Sequence, residues 1–181
     1  MLLAELLIDR KGEILDSWAD QVLATYPPDA AMIFKKGKNQ FANPVGCAVK
    51  NTLWTVYALL FEKNTTEGIV DSLEQMVLIR AVQTFIPSEA VSMAYILKGV
   101  VKDFCRQEKV ADLEGWHVFE EKVDILAYTL FDLYAACRER LYQTRLAELK
   151  SGNHIITDGG CPSKLMDGNT ARKAELKPIV V

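Results

Sequence analysis

Histidine is nearly missing from this chain, which has only His117 and His154 in 181 residues. The four cysteines, Cys47, Cys105, Cys137 and Cys161, sit far apart and include no Cys-x-x-Cys pair. Zinc sites draw on tighter, paired ligands. The nearest approach to such a set, His154 and Cys161 with Asp158 between them, does not meet that spacing, so no metal is expected. Nor is a disulfide framework expected from cysteines this scattered in a chain of this size. Glycine-rich phosphate loops and a serine-nucleophile elbow are absent. No run approaches the ~18 consecutive apolar residues of a membrane span, and charges interrupt the opening "MLLAELLIDRKGEILD" too early for a signal peptide. A cytoplasmic location is therefore expected. Net charge is −3 and no basic stripe appears, which disfavours nucleic acid as a partner.

What is present is apolar periodicity. Half of the residues are hydrophobic, enough for one globular domain, since chains near 150 residues bury roughly 70% of their unfolded surface. Residues 2–24 predict an amphipathic helix, with Leu3, Leu6, Leu7, Ile14, Trp18, Val22 and Leu23 returning at helical spacing. "TYPPD" ends it, because proline withholds an amide donor and pushes its predecessor out of helical geometry. A short helix is predicted over 29–36, followed by the loop "KKGKN". In "QFANPVGC", Asn43 is placed to cap a helix start and Pro44 suits the first helical position, where a missing N–H costs nothing. That helix should run to about residue 63, with Phe41 packing back on it as a hydrophobic staple. Further helices are predicted over 68–85, from "IPSEA" through Cys105, and from a cap at Asp112 to about residue 149. No alternating strand pattern competes. The expected fold is all-α, a bundle of about five to six helices with a long C-terminal helix.

The last helix carries the clearest pattern. Trp116, Phe119, Val123, Leu126, Leu130, Leu133 and Cys137 advance by alternating steps of 3 and 4, a heptad-like seam. Ala127, Phe131, Tyr134 and Ala135 widen the apolar arc, and only Asp132 is charged within "ILAYTLFDLYAAC". A helix apolar nearly all round is buried on more than one side. Either this is the central helix of a bundle, or one of its faces packs on its own domain and another on a second copy, which makes the seam a candidate dimer interface. Asp132, among apolar neighbours, is expected to be paired with a cation such as Arg80 or Arg138. Other acidic pairs, Glu120 with Glu121 and Asp71 with Glu74, suit solvated helix faces better than a catalytic pocket. Residues 150–181 hold four of the ten glycines and none of the aromatics. They are expected to form a flexible tail beyond a domain spanning 1–149, since they cannot bury enough apolar area to offset ordering entropy.

Three stretches, "DSWADQVLATYP" (16–27), "FANPVG" (41–46) and "IRAVQTFIPSEAVSMAYILKGVVKDF" (79–104), together resemble the N-terminal domain of the RsbR and RsbRD group, the RsbT co-antagonist proteins of the bacterial stressosome. The resemblance covers roughly residues 5–145. It implies a globin-like, non-haem helical fold that dimerises through its long final helix and serves as a sensory input. In that group the final helix leads into a STAS domain with phosphorylatable threonines, and residues 150–181 are too short and of the wrong composition to supply one. No axial histidine stands in 44–63 or 68–85, so no haem is expected. Trp18, Tyr26, Phe41, Trp54 and Arg80 are candidates for a ligand pocket. The function this implies is a non-enzymatic sensor or adaptor module, homodimeric and binding a protein partner or small ligand whose identity the sequence does not give. The alternative is a thiol-based redox or ligand-binding accessory protein of anaerobic sulfur metabolism. It would use Cys161, or Cys47 in the first turn of its helix, where the dipole lowers a thiol pKa.

Overall fold

The computed structural model describes residues 1–36, 43–83 and 85–151. They form seven α-helices and one π-helical segment, with no strand among them. The helices are α1 (Leu3–Asp9), α2 (Lys11–Leu23), α3 (Pro28–Lys36), α4 (Pro44–Tyr57), α5 (Ile69–Val82), α6 (Pro87–Gln107) and α7 (Leu113–Ser151); the π segment, Ala58–Glu62, continues α4. Residues Met1–Gln143 form one compact unit, and the described part of a second is the last helical turns, Thr144–Ser151. The fold is the expected all-α one with a long C-terminal helix. The predicted tail beyond Ser151, with Cys161 and His154, and the predicted staple at Phe41 lie outside the described residues, while Lys150 and Ser151 still belong to α7.

The helix expected over 2–24 is two, because the backbone leaves helical geometry at Arg10 (φ −103°, ψ 15°). The hydrogen-bond ladder is nevertheless kept: Arg10 N–H donates to Leu6 O and Ile14 N–H to Arg10 O, both at 3.0 Å. The guanidinium of Arg10 holds Glu13 in the next turn and Glu108 at the far end of α6. Tertiary contact, rather than a local breaker, accompanies the bend.

The helix starts obey local rules. Asn43 accepts from Gly46 N–H at 2.9 Å while its own amide donates to the Phe34 carbonyl at 2.6 Å, and Pro44 begins the helix. One buried side chain thus caps α4 and ties it to α3. Gly46 is required by this close approach, since a Cβ there would collide with the Asn43 side chain and the Phe34 carbonyl. At α6 the proline alone suffices: Pro87 follows an extended Ile86 with no side-chain cap. Asp112 caps α7 through Gly115 N–H at 3.0 Å and takes Leu3 N–H at 2.9 Å with its other oxygen. These two bonds hold its carboxyl below the usual aspartate range.

Around α2 the remaining helices close into one core. The buried Trp18 donates its indole N–H to Met93 O at 2.8 Å, joining α2 to α6. Tyr57 donates to Leu7 O at 2.8 Å, joining α4 to α1. Burial raises the Tyr57 phenol well above the ordinary tyrosine value. On the other side α7 meets α5 and its exit: Tyr134 donates to Phe85 O and Arg138 to Ala81 O. Phe61 of the π segment stacks on Phe119 of α7 with centroids 5.4 Å apart.

Candidate functional site

The seam proposed for a second copy turns inward. Phe119, Val123, Leu126, Leu130 and Cys137 are buried in the chain's own core, and Trp116 and Leu133 pack against it. Of the seven residues expected at a dimer interface, five are thus buried within this chain and two are half-buried against its core. Heptad spacing marks a face that must be covered and leaves open by what; here α5, α6 and the π segment of the same chain cover it. The large apolar residues left to solvent are spread over the outward half of the helix, with exposed acids such as Asp124 and Asp132 between them. Val118, Ile125, Tyr128 and Phe131 are all exposed, Tyr128 at 70% and Phe131 at 55%. Several large side chains on one half of a helix mark an interaction surface more readily than single scattered ones do. The arc widened by Phe131 was the sequence signal for these residues. What could not be seen was which side of the helix the core would take. Asp132 lies on this outward side, exposed, so water satisfies it; Arg138 instead donates to a backbone carbonyl at 3.4 Å.

Arg80 lies deep in the core. It is 0% exposed, and no carboxylate among the described residues lies within ion-pair distance. Backbone and hydroxyl oxygens take its place. Arg80 donates to Glu89 O at 3.0 Å, Thr25 Oγ1 at 3.1 Å and Val22 O at 3.4 Å. Val22 sits in the last turn of α2, where free carbonyls give the helix end partial negative charge. The rings of Tyr26 and Phe85 face the guanidinium at 5.1 and 5.0 Å, adding cation–π attraction. Burial lowers the Arg80 pKa, opposed by Tyr26 and Glu89; a guanidinium keeps its charge in proteins. Arg80 Nε and the Tyr26 hydroxyl have no hydrogen-bond partner. The cluster fastens the end of α2 and the start of α6 to α5.

The four pocket candidates among the described residues do not all meet. Tyr26 and Arg80 meet in this cluster, Trp18 is sealed against Met93, and Phe41 is outside the described residues. Trp54 stands on the surface, 49% exposed, beneath the Lys11 ammonium at 4.1 Å from its ring centroid. The thiols are no better grouped. Cys47 is half-buried in the first turns of α4, with its own N–H already bonded to Asn43 O at 3.1 Å. Burial pushes the Cys105 thiol up, away from thiolate chemistry. His117 is exposed, its Nδ1 3.8 Å from Glu120. Among the described residues no three His, Cys, Asp or Glu side chains are grouped to hold a metal, and no helix is long and apolar enough to cross a membrane.

Comparison with known proteins agrees with the sequence motifs. The profile of the family described as "RsbT co-antagonist protein rsbRD N-terminal domain" matches residues 12–149. No curated protein and no solved structure matches.

Proposed function

The chain belongs to the RsbRD N-terminal domain family, and from that premise we propose that it is a regulatory rather than catalytic module, associating as a dimer through the outward face of α7. The family is described as a co-antagonist, which fits an input or adaptor role toward a protein partner. The observation that carries the reading is the set of exposed apolar side chains, Val118, Ile125, Tyr128 and Phe131, on the outward half of a 39-residue helix. In a two-fold dimer one such face serves both copies, so each residue is counted twice in the contact. A partner pressing on α7 would also press on the core behind it, because the inward row of that helix is continuous with the buried cluster.

Light scattering coupled to chromatography tests this. The wild type should run as a dimer at micromolar concentration, and the double variant Tyr128→Glu, Phe131→Glu as a folded monomer with unchanged helicity. A monomeric wild type would remove the basis for the dimer.

A further inference from the structure

At the corner where α6 gives way to α7, a cleft of about 810 Å3 opens, with Leu3 of α1 in its wall. That volume lies in the range of small-molecule sites. Its lining is apolar in part: Leu3 is buried, and Cys105, Val110 and Trp116 are half-buried. The charges around it differ in how far they are already committed. The Asp112 carboxylate is held by two backbone N–H groups, from Leu3 and Gly115. Glu120 is held by Lys98 at 2.7 Å, and that bond keeps its carboxyl below the usual glutamate range. Both acids of the wall are therefore occupied. Of the other cations, Arg106 reaches Asp103 at 3.3 Å, whereas Lys102 and Lys109 have no ion-pair partner among the described residues. Lys109 stands in the left-handed region (φ 53°) at the turn that reverses the chain after α6.

A concave apolar wall with uncommitted positive charge at its edge selects an amphipathic anion. A simple phosphate would leave the wall of Trp116 and Val110 wet. A neutral apolar molecule would leave the lysines unused, and a cation would meet like charge. We propose that this cleft is a binding site for a small organic anion, an aromatic carboxylate in class. Its ring system lies against Trp116, Cys105 and Val110, and its carboxylate lies at the rim supplied by Lys102 and Lys109. The inference deepens the sensor reading and rests on it for one consequence only: an occupant here bears on the first turns of the helix that carries the outward apolar residues. Binding itself does not require the dimer.

Amide-resonance NMR of the full chain, titrated with naphthoate, naphthylmethanol and naphthylmethylammonium, tests the site with three probes of one shape and three charges. Naphthoate should shift the Trp116 indole and the amides of residues 105–113 saturably, with affinity about tenfold or more above the neutral alcohol, a difference of ~1.4 kcal/mol. The ammonium should not saturate. The double variant Lys102→Glu, Lys109→Glu should abolish the preference for naphthoate, and Ala111→Trp, which adds bulk to the wall, should weaken all three probes. Equal affinity for the three charges, shifts confined to other residues, or no saturation by millimolar naphthoate would overturn the proposal. Light scattering with and without naphthoate separates the two readings. Saturable binding to a chain that stays monomeric keeps the site and removes the dimer, whereas a dimer blind to naphthoate at this cleft keeps the dimer and removes the site.

Discussion

The apolar side chains on the inward and outward sides of α7 differ little in kind and greatly in environment. Leu126 and Leu130 are fully buried, while Tyr128 and Phe131, interleaved with them in sequence, are largely in water. Apolar residues are thus found on both sides of one helix, but only one side is part of the folded unit's stability. The inward row fastens α7 to α5, α6 and the π segment, and the outward side has no intramolecular duty to perform. The same contrast holds for charge. Arg80, fully buried, is surrounded by acceptors and ring faces, whereas Asp132, expected to need a cation, stands exposed.

The contrast can be tested by paired substitutions. The largest effect is expected at Leu130→Ala, which should lower unfolding free energy by about 2–5 kcal/mol through lost burial and a residual cavity. Its neighbour Phe131→Ala should stay within about 0.5 kcal/mol in the monomer while weakening self-association. Urea denaturation of both variants at a concentration where the chain is monomeric reads the difference, and equal losses would erase the distinction between the two sides. Next comes Arg80→Met, which removes the cation and its hydrogen bonds to Glu89 O, Thr25 Oγ1 and Val22 O, although Glu89 O keeps the Ser92 hydroxyl at 2.7 Å. Hydrogen bonds to a charged group contribute about 1.5–3 kcal/mol. Asp132→Ala, by contrast, should be close to neutral. Arg80→Lys should not rescue, because an ammonium cannot span three acceptors as a planar guanidinium does.

The smallest effect concerns the start of α7. The Asp112 carboxyl is held below its unfolded value by the N–H groups of Leu3 and Gly115. The folded state therefore binds its proton less readily than the unfolded state does. The stabilisation is present above the ordinary aspartate range and is lost as pH falls through the depressed folded value. Asp112→Ala should flatten the acid limb of a stability–pH curve and leave the alkaline limb unchanged. An unchanged acid limb would place the pH dependence elsewhere.

Much of the fold was legible because helix boundaries are set by neighbours in sequence. Asn43 with Pro44, Pro87 and Asp112 each mark a start through groups only a few residues away, and the structure has helices beginning at all of these points. The bend at Arg10 was not legible, since one of its partners, Glu108, is distant in the chain. Where the pocket candidates lie was not legible for a related reason. Trp18 and Trp54 have similar chemistry, but burial beside Met93 or exposure under Lys11 depends on how α2 and α4 pack. The cleft gathers Leu3 with residues between Lys98 and Glu120, and no local pattern announces that meeting.

By itself, the amino-acid order determined that the chain is helical, where most helices begin, and that the middle of the last helix is apolar nearly all round. These follow from hydrogen-bonding and periodicity rules that act within a few residues. Only the tertiary structure decided which side of α7 is core, how a lone buried guanidinium is satisfied, and where uncommitted lysines stand beside an apolar wall. Each of those depends on surfaces from distant segments competing for the same contact, and a heptad pattern is equally compatible with a partner from its own chain or from another.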